Sequence, residues 1–106
     1  MPKYLVRANY TAEGAKGLRK DGGSKRRQVA EALLKEAGGK LEAFYFTFGE
    51  NDAIIIADLP DNVSSVAVSL AVNASGLTNA TTTPLVTVEE MDAAAKKQLG
   101  YRPPGQ

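Results

Sequence analysis

Cysteine and histidine are both missing from this chain of 106 residues. The first absence excludes a disulfide, a zinc–thiolate centre and a thiol nucleophile. The second removes the usual general base near neutral pH and the commonest metal ligand. A metal would have to be a hard ion such as Mg²⁺ or Ca²⁺ held by oxygens. No paired-carboxylate spacing suggests one, and neither a metal nor another cofactor is expected. An excess of one charge is lacking too: the net charge of +1 supplies no field towards nucleic acid or a membrane surface. No apolar run is long enough to span a bilayer, and Met1-Pro2-Lys3-Tyr4 leads into no signal-peptide core, so a cytoplasmic protein is expected. A composition of 43% hydrophobic and 24% charged residues is that of a folded domain rather than a disordered segment. The length suits one core. A single domain over residues 1–100 is expected, with a loose tail over 101–106.

The hydrophobic pattern is legible along most of that length. Lys3 to Tyr10 alternates with period two, Tyr4, Val6, Ala8 and Tyr10 on one face and Leu5, Arg7 and Asn9 on the other, which predicts a half-buried strand. Thr11 can cap a helical stretch that Gly14 and Gly17 weaken and Gly22-Gly23 break. From Ser24 the pattern is firmly helical, with Val29, Ala30, Leu33, Leu34 and Ala37 on one stripe and Gly38-Gly39 as the stop. Leu41 to Phe48 predicts a second strand, with Phe44, Phe46, Phe48 and Glu42 on one side and Leu41, Ala43, Tyr45 and Thr47 on the other. Gly49-Glu50-Asn51-Asp52 predicts a tight turn into a third strand, Ala53 to Ala57, whose continuous apolar character implies cover on both faces.

Pro60-Asp61-Asn62 opens a helix whose expected buried stripe is Val63, Val66, Ala67, Leu70, Ala71 and Ala74, ending at Gly76. Leu77 to Val86 is a threonine-rich strand that Pro84 assigns to a sheet edge. Thr87-Val88-Glu89-Glu90 has the spacing of a capping box, predicting a last helix from Val88 to about Leu99. The order βαββαβ plus a terminal helix, with right-handed crossovers, gives an α+β ferredoxin-like plait with helices on one side of the sheet. The other side is left for solvent, a ligand or another subunit.

Several segments taken together resemble the GYD-domain family. They are Pro2-Lys3-Tyr4-Leu5-Val6, Asn9-Tyr10-Thr11-Ala12-Glu13-Gly14, Lys16-Gly17-Leu18 and Gly39-Lys40-Leu41-Glu42-Ala43-Phe44-Tyr45. Gly49-Glu50-Asn51-Asp52 sits where the name-giving Gly-x-Tyr-Asp falls, so Asn51 stands in place of the motif's tyrosine. The match runs from the amino terminus to about Leu85. Asparagine suits that position if a left-handed turn conformation is needed there. The resemblance implies a dimeric α/β barrel, in which two sheets associate.

The candidate ligand-binding residues are Arg7, Asn9, Tyr10, Tyr45 and Asp52. Asp52 is either a general base or ligand anchor at a strand end, or simply a turn residue. Arg7 and Asn9 belong to a central strand, where an arginine either clamps a carboxylate or carbonyl ligand or pairs across a subunit contact with Glu42, Asp58 or a neighbour. Tyr10 and Tyr45 carry phenolic hydroxyls but equally suit packing. The basic residues Lys16, Arg19, Lys20, Lys25, Arg26 and Arg27 around Gly22-Gly23-Ser24 suit a solvated helix face better than an anion site, because no phosphate-loop fingerprint accompanies them. Phe44 and Phe46 are expected in the core rather than stacked on RNA bases. These features predict a homo-oligomeric binding or structural module for a small organic ligand, with no nucleic-acid or membrane partner. The alternative is a cofactor-independent enzyme resembling dimeric-barrel oxygenases and isomerases, with Asp52, Tyr10 or Tyr45 acting beside Arg7. An enzyme requires Arg7, Tyr45 and Asp52 to converge on one enclosed pocket.

Overall fold

The computed structural model describes residues 1–47 and 49–106. In chain order the elements are β1 (Lys3–Tyr10), α1 (Ala12–Asp21), α2 (Gly23–Glu36), β2 (Lys40–Phe46), β3 (Ala53–Asp58), α3 (Asn62–Ala74), β4 (Thr78–Leu85) and α4 (Val88–Ala95). The four strands form one antiparallel sheet in the order β2-β3-β1-β4, the ferredoxin-like arrangement. β1 is central, and β4, with Pro84, is an edge. No described helix is long and apolar enough to cross a membrane.

Local chemistry sets most boundaries. Thr11 accepts from the Gly14 amide at 3.2 Å and caps α1, while Asp61 accepts from the Ser64 amide at 2.8 Å and caps α3. Thr87 and Glu90 complete a reciprocal capping box on α4, which ends at Ala95, short of the expected Leu99. Gly38, at φ +89°, turns the chain out of α2, and Gly39 then donates to the Leu34 carbonyl at 2.8 Å. Gly14 also permits a close approach. A Cβ there would lie 1.9 Å from the Leu77 carbonyl oxygen, so the first turn of α1 presses directly on the loop before β4. Asn73 protects the exposed edge of β4, accepting from the Ala80 amide at 2.6 Å and donating to its carbonyl at 3.1 Å.

The core lies between the sheet and the helices, where Tyr4, Leu34, Ala57 and Leu59 are buried and Ala37, Leu41 and Val68 pack against them. Tyr4 also donates from its hydroxyl to Asn62 Oδ1 at 2.7 Å, fastening α3 to β1. Three expectations are corrected here. A register irregularity between Leu41 and Ala43 shifts the phase of β2 by one residue. Leu41 therefore joins the core, and Glu42 meets Lys3 instead of sharing the phenylalanine face. Phe48, expected on that face, lies outside the described residues. Asn51 does not use a left-handed conformation, since the positive-φ residues described are all glycines. The turn is closed by Thr47, whose amide donates to the Asp52 carbonyl at 2.9 Å and whose hydroxyl donates to the Asn51 carbonyl.

The third correction is the largest. The stripe assigned to the interior of α3 faces outward: Val63 is 79%, Val66 56% and Leu70 65% exposed, and Ala67, Ala71 and Ala74 are exposed as well. The line turned to the sheet is Ser65, Val68 and Val72. A helix with apolar residues on both sides offers two stripes of similar spacing, and here the narrower one, with a buried serine, packs against the plait. Beyond β4, the segment from Val86 to the carboxyl terminus stands away from the sheet with Val88, Met91, Leu99 and Tyr101 all exposed. The radius of gyration is accordingly 17.0 Å, against about 13 Å for a compact chain near this length.

Candidate functional site

A partly open cavity of about 90 Å³ lies between the sheet and the helices. Its floor is Val6 and Ala8 of β1, Phe44 of β2 and Ala53 and Ile55 of β3, all on the face turned to the helices. α2 supplies Val29, Ala30 and Leu33 to the wall, and α3 supplies Val68 and Val72. Alternation on the strands and three- and four-residue recurrence on α2 bring these side chains together. Three polar residues interrupt the apolar lining: Tyr10 at the end of β1, Thr78 at the start of β4 and Arg26 in the first turns of α2. The Arg26 Nε is buried and meets no acceptor among the described residues. No aspartate or glutamate lines the cavity.

Arg26 thus departs from the solvated role expected for the basic run. Its neighbours keep that role: Lys16 pairs with Glu13 at 3.2 Å and Arg27 with Glu31 at 3.6 Å, each on its own exposed helix face. The inward position of Arg26 was encoded in spacing, because residues 26, 30, 33 and 37 are separated by four, three and four. It continues the apolar stripe of α2 towards the amino terminus. Reading the cations as one run obscured that phase.

The other face of the sheet carries the remaining candidates. Tyr45, Ile54, Arg7 and Thr81 occupy one row across the four strands, so an isoleucine stands between the tyrosine and the arginine. Arg7 and Asn9 line an open hollow with Glu50, Asn51, Asn79 and Thr81, and Arg7 donates to Thr83 Oγ1 at 3.5 Å. Tyr45 lies outside that hollow and is 69% exposed. Tyr10 lies on the opposite face, in the cavity wall. The Asp52 carboxylate accepts from the Tyr10 amide at 2.9 Å, while the Asp52 amide donates to the Ala8 carbonyl at 3.0 Å and lies 3.1 Å from Asn9 Oδ1. Asp52 therefore fastens the start of β3 to the end of β1. Among the described residues, no pocket brings Arg7, Tyr45 and Asp52 together.

Glu42 and Asp58, the expected partners of Arg7, are taken by Lys3. The Lys3 ammonium lies 2.8 Å from Asp58 and 3.1 Å from Glu42 at a corner of this face. The hydrogen bond from Lys3 holds the Asp58 carboxyl below its ordinary value of 3.8, and the same bond raises the Lys3 ammonium above its own. The described residues include no group of three histidine, cysteine, aspartate or glutamate side chains placed to hold a metal.

A family model, the GYD domain, matches residues 4–95. No curated protein and no solved structure gives a significant match. The matched span begins within β1 and closes with α4, taking in every strand of the plait and the whole cavity wall. The chain belongs to the GYD-domain family.

Proposed function

We propose that this protein is a small-molecule binding module that works as a homo-oligomer. The observation that carries the binding role is the cavity of about 90 Å³ under α2 and α3. Interiors are normally packed with few voids larger than a water molecule. A void lined by valine, leucine, isoleucine and phenylalanine, with a few polar groups at its margin, has the composition of a ligand pocket. Its size suits a molecule smaller than benzene, which occupies cavities of about 150 Å³. The catalytic alternative has less support, because the Asp52 carboxylate is engaged by a backbone amide and lies apart from Arg7 and Tyr45.

Self-association is supported by area. The chain exposes 7713 Å², whereas a compact monomer of this mass exposes about 5,700 Å². The surplus exceeds the roughly 800 Å² per partner that a stable interface buries. Its visible sources are the outward stripe of α3 and the apolar residues after β4. Ile54 and Ile56, half-buried on the face away from the helices, add a second apolar contribution. Pairing of two such faces into a dimeric barrel is part of the proposal.

Xenon, an uncharged probe of apolar voids, tests the binding role. Methyl resonances of Val29, Leu33 and Val72 should shift together and saturably under xenon, and Ala30→Leu should suppress the shifts by filling the void. Unmoved methyls in the wild-type protein would refute the reading.

A further inference from the structure

The cavity has a cation in its wall and, among the described lining residues, no carboxylate to balance it. A guanidinium charge facing apolar side chains is costly unless an anion or acceptor meets it. Glu31 is paired with Arg27, Glu13 with Lys16 and the Asp52 carboxylate with the Tyr10 amide, and none of them lines the cavity. The remaining polar groups of the lining, the Tyr10 and Thr78 hydroxyls, are both able to donate. The cavity therefore offers one cation, two hydroxyls and no anion around a small apolar space.

We propose that the ligand is a small monocarboxylate with a short apolar tail, its carboxylate held by Arg26 and its tail lying against Val29, Leu33 and Val72. This rests on the cavity being the ligand site. Nε and the adjoining Nη form one two-donor edge of the guanidinium, which matches the two oxygens of a carboxylate. Nε is buried with no partner among the described residues. Charge selects the carboxylate over a phosphate: with no second cation in the lining, a dianion would be left half balanced in a low-dielectric site. Size selects a short tail, because about 90 Å³ holds only a few carbon atoms. Arg26 separates such an acid from a neutral molecule of the same shape.

Propionate and its neutral amide, propionamide, are the probes, with xenon as the control for the cavity itself. Titrations followed by NMR at low salt should show propionate moving the Val29, Leu33 and Val72 methyls and the Arg26 Nε–H resonance, with at least tenfold higher affinity than propionamide. Arg26→Met should reduce that preference below twofold while xenon still shifts the same methyls, which shows the cavity intact. Equal affinities for acid and amide in the wild-type protein would overturn the carboxylate assignment and leave the cavity reading standing. A wild-type protein in which neither probe nor xenon moves the methyls would overturn both. The wild-type comparison decides the matter even if Arg26→Met fails to fold.

Discussion

α2 and α3 occupy equivalent places in the two βαβ halves, yet they use their apolar residues in opposite ways. α2 turns its stripe inward: Leu34 is buried, Leu33, Ala30 and Ala37 are partly so, and Arg26 follows the same line into the cavity. Its outer face is charged, with Lys25, Arg27, Glu31 and Lys35. α3 has no charged residue between Asn62 and Ala74 and turns Val63, Val66 and Leu70 outward. One helix completes the chain's own core, and the other presents a surface that water does not favour. The difference shows that an apolar stripe marks a face to be covered without saying by which molecule.

Truncating Leu34 and truncating Leu70 should separate the two roles. Leu34→Ala should cost about 2–5 kcal/mol of stability, the range for a buried leucine. Leu70→Ala should change the unfolding free energy of the dissociated chain by less than about 0.5 kcal/mol, as at an exposed site. Urea titrations at dilution sufficient to dissociate the protein provide the check. A large loss in Leu70→Ala would mean that α3 buries its outer stripe within its own chain.

Two glycines sharpen the contrast within α1. Gly14→Ala should destabilise by about 1–3 kcal/mol, because the new methyl would meet the Leu77 carbonyl. Gly17→Ala should instead stabilise by about 0.5–1 kcal/mol, since nothing lies within 4 Å of a Cβ there and alanine favours the helix. Melting temperatures that move the same way in both variants would break the close-approach account.

The Lys3–Asp58 pair makes a smaller, pH-dependent contribution on the face away from the helices. Because the folded Asp58 carboxyl sits below its unfolded value, its stabilisation is fully present above about pH 4 and is lost as pH falls through the depressed folded value. The gap in urea midpoint between wild type and Asp58→Asn should therefore be open at neutral pH and close in acid. A gap independent of pH would contradict the assignment. The smallest effect is expected at Asn51, where Asn51→Val should shift stability by no more than about 0.5 kcal/mol, since no left-handed conformation is required.

Much of the plait was legible from residues whose physics is local. Thr11, Asp61 and Thr87 cap helices as their side chains dictate, Gly38 and Gly76 take positive φ where helices stop, and Pro84 sits on an edge strand. What depended on a partner surface was not legible. The bulge after Leu41 moves one residue and reverses the facing of Glu42, a change that alternation alone does not reveal. The direction of α3 depended on which of its two apolar lines met the sheet. The candidate site divided similarly: Tyr10 was placed in the cavity wall, Arg7 and Asn9 in an open hollow, and Arg26 was concealed by the cations around it.

Sedimentation equilibrium at micromolar concentration tests most directly whether the outward face of α3 is an interface. The wild-type protein should sediment at twice 11.2 kDa or a higher multiple, and Leu70→Asp, which places a charge in the middle of that face, should lower that mass, leaving no more than a pair joined through the sheet faces. A wild-type mass of 11.2 kDa across the whole concentration range would contradict the account.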